Sequence, residues 1–264
     1  MRLPLWGTMR RDPGQPEGRT ARTGATAPAT ALLMALLLLA PLTGAAQTAP
    51  EAPALPGRAA GVAGFVPPGW VIEQQHVADL NRDGRRDALL LLRPAPAAAQ
   101  PGQPGTTAGT VDGGAGRSPP RLLAVLLGAR SGYALAALNA RLIPRVDLTS
   151  QDDPLADGEL AVRPGGFDIK LGLVAGVGSY LSASLRYRFR YQGGCFRLIG
   201  YDRLETHRAT LNTQDLSIDF RNGAVVHTSG NAQSDATQVR RERLATNPRR
   251  CFQDLDSAAD FKPL

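Results

Sequence analysis

The sequence predicts a mainly β protein, a single antiparallel-sheet domain folded as a sandwich or meander. Three observations predict it. Leu185-Arg186-Tyr187-Arg188-Phe189-Arg190-Tyr191 alternates apolar residue and arginine without a break, the period of a strand with one buried face. Gly193-Gly194 and Asn222-Gly223 stand between such segments where hairpin turns belong. Ala88–Leu92 and Leu122–Leu127 are unbroken apolar runs bounded by turn residues, as expected of strands buried on both faces.

The elements follow in chain order. Residues 1–46 read as a signal peptide, with a basic start (Arg10, Arg11, Arg19, Arg22), an apolar stretch at 31–40 and small residues before Gln47. The stretch is shorter than the ~20 residues a bilayer span requires, so no membrane span is expected after cleavage. Such a segment directs the protein to the periplasm or the medium. Residues 47–64, rich in Ala, Pro and Gly, are expected to form a disordered leader, and 65–264 the β domain. Trp70–Val77 enters an acidic loop and Ala88–Leu92 leaves it. Residues 94–120 carry only Asp112 and Arg117 as charges and little apolar bulk, the composition of a disordered insertion. Such an insertion between two strands of one sheet adds little closure entropy.

Past it, Ser131-Gly132 turns into Tyr133–Ala137, and 141–159 reads as loop. Leu160–Val162 and Phe167–Leu173 flank Pro164-Gly165-Gly166, a hairpin. Across Gly193-Gly194, Tyr191 should face Phe196, Phe189 should face Leu198, and Arg190 should face Arg197. Leu216–Phe220 should pair with Ala224–His227. Phe252 and Phe261 should dock the basic tail onto a sheet.

The formal net charge is +7, and the only lysines are Lys170 and Lys262. The first 46 residues hold five arginines and two acids, so their removal lowers the excess by three charges. What remains is modest, and no nucleic-acid partner is expected. The only cysteines, Cys195 and Cys251, are free to pair in an oxidising compartment.

The most specific chemistry lies in Asp79-Leu80-Asn81-Arg82-Asp83-Gly84-Arg85-Arg86-Asp87. Oxygen-bearing side chains at alternate positions let a short loop wrap a hard cation such as calcium. Asp79, Asn81, Asp83 and Asp87 offer side-chain oxygens, Arg85 its backbone carbonyl, and Gly84 the sharp turn. Leu90 stands where an EF-hand places its bidentate glutamate, so the loop is not an EF-hand. The pattern Asp-x-Asn-x-Asp-Gly-x-x-Asp followed by an apolar strand resembles the FG-GAP/VCBS-type repeat of integrin-like propellers and exported bacterial proteins. That resemblance covers residues 70–92 and implies a calcium ion held by Asp79, Asn81, Asp83, Arg85 and Asp87. The motif occurs once, whereas a propeller repeats a four-stranded blade about four to eight times. A full propeller is therefore not expected.

Arg186, Arg188, Arg190 and Arg197 form a candidate anion-binding stripe. Like charges facing each other need compensation, by an anion or by neighbouring acids. His76, His207 and His227 lack metal-ligand spacing, and neither a nucleophile elbow nor a phosphate-binding loop is present. The sequence thus points to an exported, non-enzymatic β protein with one structural calcium loop, a binding module for an envelope or extracellular partner. The alternative is an exported enzyme with its site on the face of Arg186, Arg188, Arg190 and Tyr201.

Overall fold

The computed structural model describes residues 52–96, 116–174, 176 and 178–263. Among the described residues two antiparallel sheets pack face to face as a sandwich-like β domain, and they form neither a closed barrel nor a propeller. The expected signal peptide and most of the insertion (97–115) lie outside the described residues. No helix among the described residues is long and apolar enough to cross a membrane.

The first sheet runs β1-β5-β4-β3-β2: β1 (Arg58–Ala59), β2 (Trp70–Ala78), β3 (Asp87–Pro94), β4 (Leu122–Ala129) and β5 (Gly132–Asn139). The two apolar runs form its centre. Leu89, Leu91, Leu123 and Val125 face the second sheet, and Ala88, Leu90, Ala124 and Leu126 face the other way. Both faces are buried, which is why these strands show no polar alternation.

The expected leader covers that outer face. Leu55, Ala59 and Val62 pack there with the fully buried Phe65, and β1 pairs with β5. Order therefore starts by residue 52 and not at 65. Three apolar side chains from a segment whose composition reads as disorder thus join Phe65, Val66, Trp70 and Ile72 over this face. The end of the expected insertion is also structured. Ser118 is buried, and its Oγ accepts the Val146 N–H at 2.9 Å.

The second sheet runs β12-β11-β10-β9-β8-β7-β6: β6 (Glu159–Arg163), β7 (Gly166–Val174), β8 (Leu181–Gln192), β9 (Cys195–His207), β10 (Asn212–Asp219), β11 (Ala224–Asn231) and β12 (Ser234–Arg243). The expected pairs Tyr191–Phe196, Phe189–Leu198 and Arg190–Arg197 are present, and Leu216 faces His227. Phe167, Phe189, Phe196 and Phe252 cluster in the core, with the Phe167 and Phe252 rings 5.4 Å apart and edge-on.

The tail docks as expected. Phe252 is fully buried and Phe261 nearly so, and Cys195 is bonded to Cys251 across 56 residues. Closing a loop of this length is worth about 2–4 kcal/mol. Reduction should lower the urea midpoint by that amount of stability. A midpoint unmoved by reductant would show that the tail holds by packing alone.

Candidate functional site

Asp79–Asp87 forms the turn from β2 to β3, and its own side chains fold it. Asp79 Oδ1 accepts the Asp83 N–H at 3.1 Å and Oδ2 the Gly84 N–H at 2.9 Å. Asn81 Oδ1 accepts the Asp83 N–H at 3.0 Å, and Asp83 Oδ1 the Arg85 N–H at 2.8 Å. Gly84 turns with φ +83°, a conformation glycine adopts without steric cost. Arg82 also has positive φ and lays its guanidinium on Gly165, where a Cβ would stand 2.5 Å from Nε. The Gly165 N–H reaches Asp79 O at 2.8 Å. The loop is thereby fastened to the β6–β7 turn of the second sheet.

Asp87 does a different job. It is fully buried, and its Oδ2 accepts the N–H groups of Leu80 (2.7 Å) and Asn81 (3.2 Å) while Oδ1 accepts that of Gly128 (2.7 Å). It ties both ends of the loop to β4. Burial pushes its pKa above the ordinary carboxylate range, against the opposing pull of the three donors. Asp83, at the exposed tip of the loop, is held below that range by the Asn81 amide and the Arg85 N–H.

The donor set fits a hard cation in part. Each oxygen of Asp79 and Asp83 accepts one hydrogen bond within the loop, and a carboxylate oxygen has room for a second partner. Asn81 lies beside Asp83, with its Nδ2 3.1 Å from Asp83 Oδ2. The Arg85 guanidinium, 3.8 Å from the same oxygen, competes with a cation there. Among the described residues no three His, Cys, Asp or Glu side chains are gathered tightly enough to hold a metal as they stand. A cation here would draw on the Asn81 amide and the Arg85 carbonyl as well.

The arginine stripe occupies the outer face of the second sheet; one of its members, Arg188, is answered by an acid on the neighbouring strand, and Arg163 and Arg221 beside it have acids of their own. Arg188 pairs with Asp202 at 3.1 Å, Arg163 with Asp168 at 2.5 Å, and Arg221 with Asp219 at 2.6 Å. Arg188, Arg190 and Arg197 come together around Ile199, while Arg186 stands exposed away from them. Tyr201 lies on the opposite face, 1% exposed, against Tyr187 and Phe261. Burial pushes its pKa up to about 12. The expected grouping of Tyr201 with Arg186, Arg188 and Arg190 is therefore corrected: the register opposing Tyr187 to Tyr201 turns both rings inward.

A groove the sequence did not disclose lies where the second sheet outruns the first. The inward row Tyr201–Ile218–Val225 is sealed in the core. The next row, Arg203–Leu216–His227–Arg240, lines an open groove of about 500 Å³. There His227 Nε2 lies 2.8 Å from Glu242 Oε1. His76 bonds to Gln74 and His207 to Thr210, so the three histidines have separate local partners.

No family model matches the chain, and neither a curated protein nor a solved structure shows significant similarity to it.

Proposed function

We propose that this chain is an exported, non-enzymatic β-sandwich protein whose loop Asp79–Asp87 binds one calcium ion, serving as a binding module for a partner in the envelope or outside the cell. The observation that carries this reading is the loop itself. Its carboxylates and amide already turn the backbone tightly enough to bring Asp79, Asn81 and Asp83 together, and each retains capacity for a cation. Asp79, Asn81, Asp83 and the Arg85 carbonyl would hold the ion. Asp87 would hold the loop in shape from beneath.

The ion's contribution is structural. The loop joins β2 to β3 and contacts the β6–β7 turn through Asp79 and Arg82. A cation there would stiffen a junction between the sheets and offset the repulsion between Asp79 and Asp83. The binding role is supported by the separate structural partners of the histidines and by the burial of Tyr201 away from the arginine face.

At tenfold excess over its Kd, calcium should stabilise the protein by about 1.4 kcal/mol. Millimolar calcium should therefore raise the melting temperature of the wild type. Asp83→Ala should lower the calcium-free melting temperature slightly, through the lost Arg85 N–H and Asn81 bonds, and abolish the rise. A wild type indifferent to calcium rules the reading out.

A further inference from the structure

We propose that the outer face of the second sheet binds an acidic polysaccharide in a groove centred on Ile199. Two depressions meet there, of about 480 and 180 Å³, sharing Ile199 and Arg221. Together they are lined by Arg163, Arg188, Arg190, Arg197, Arg221 and Arg249, against a single lining acid, Asp219. Three of these arginines are engaged by carboxylates: Arg163, Arg188 and Arg221. Arg190, Arg197 and Arg249 have no carboxylate partner among the described residues. Register sets Arg190 directly opposite Arg197, an arrangement that destabilises a sheet until an anion answers it.

The backbone is shaped to hold these groups. A bulge at Ile199 breaks the β8–β9 register, because Arg188 faces Gly200 while Phe189 faces Leu198. The extra residue brings an apolar side chain into the arginine-lined face, a common use of a bulge beside a site. The Arg188 guanidinium lies across Gly200, where a Cβ would stand 2.4 Å from its Nε. That Nε is buried without an acceptor.

The lining identifies the ligand class. Guanidinium forks bind carboxylates and other planar oxyanions in bidentate fashion. The two joined depressions suit a chain of anionic groups better than one small ion. Ile199 and the exposed Pro248 offer aliphatic surface for sugar rings. Nucleic acid is disfavoured because base stacking needs exposed aromatic faces, and the one aromatic lining residue, Phe220, is 8% exposed. The proposal supplies the binding module with its ligand and rests on that reading, but not on the calcium ion.

Fluorescence anisotropy with labelled oligogalacturonate tests it. Binding should be saturable and uncontested by neutral galactan. Arg190→Gln and Arg197→Gln should each weaken it about fivefold, the loss of roughly 1 kcal/mol. Arg190→Lys should fall between, because it keeps the charge and loses the fork. Arg249→Gln, at an exposed position, gives the same reading if a strand variant misfolds. Arg58→Gln, on the first sheet, should change nothing. Absent saturation, or equal losses from Arg58→Gln and the groove variants, overturns the proposal. So does stronger competition by oligothymidylate of equal charge. Asp83→Ala should bind the oligosaccharide normally, so failure of the groove and failure of the calcium loop are read separately.

Discussion

Asn139→Ala should destabilise the protein by about 4 kcal/mol, since each buried polar group left unsatisfied costs about 1–3 kcal/mol. Asn139 ends β5 and is 3% exposed. Its amide donates to Phe252 O at 2.7 Å and Leu255 O at 2.9 Å. Its Oδ1 accepts the N–H groups of Arg141 at 2.8 Å and Leu142 at 2.7 Å. One side chain thus satisfies four backbone groups and anchors the C-terminal segment to the first sheet. Alanine removes all four bonds and leaves two carbonyls and two N–H groups without their side-chain partner. Urea denaturation checks the magnitude. Limited proteolysis checks the location, because cleavage near 244–250 should accelerate while the sheets stay intact. Asn139→Asp should also fail, because a carboxylate accepts from Arg141 and Leu142 but has nothing to donate to the two carbonyls. A loss below about 1 kcal/mol would mean that the disulfide and Phe252 hold the tail without this amide.

How much of this was legible in the sequence depends on how local the cause is. The turn end of the β8–β9 hairpin was read to the residue as far as Phe189–Leu198, because alternation and two glycines fix the register there; the bulge at Ile199, which turns Tyr201 inward, left no mark in the alternation. The buried strands were legible because apolar runs of five and six residues bounded by turn residues suit a strand buried on both faces. β12 was not. Ser234–Arg243 is exposed throughout, so neither face imposes an apolar period, and only its pairing with β11 makes it a strand. The segment 52–65 escaped for a related reason: its apolar residues follow the contour of a sheet they cover, not a period of their own. The arginine stripe was visible, but the acid that answers Arg188 is contributed by β9, and those that pair with Arg163 and Arg221 beside it by β7 and β10. Asn139 gave no signal at all, since the carbonyls it serves lie 113 and 116 residues away. The acidic loop is the opposite case, its ligand spacing contained in nine consecutive residues.

Arg121→Met should cost about 3–5 kcal/mol, the range for breaking a buried charge network by removing one partner. Arg121 precedes β4 with its side chain 5% exposed, held by Glu73 on β2 at 2.8 and 2.9 Å and by Asp153 at 2.8 Å. Burial penalises the guanidinium charge, but the two carboxylates outweigh that penalty and hold its pKa above the ordinary arginine value. Glu73 reaches it because it is the extra residue of a bulge: Ile72 faces Leu92 and Gln74 faces Leu91, so Glu73 falls outside the ladder. The network thus joins β2, the start of β4 and the long 141–159 loop. Methionine fills much of the volume but leaves Glu73 and Asp153 facing each other's charge without a cation. Arg121→Lys should recover less than half of the loss, because a point charge cannot serve both Glu73 oxygens and Asp153 in one plane. Replacing the pair together, Arg121→Met with Glu73→Leu, should be milder than Arg121→Met alone, because it removes the orphaned carboxylate as well. Denaturant midpoints of the three variants decide the matter. If Arg121→Met and the double variant are equally unstable, the loss lies in packing around β4, and the charges are passengers.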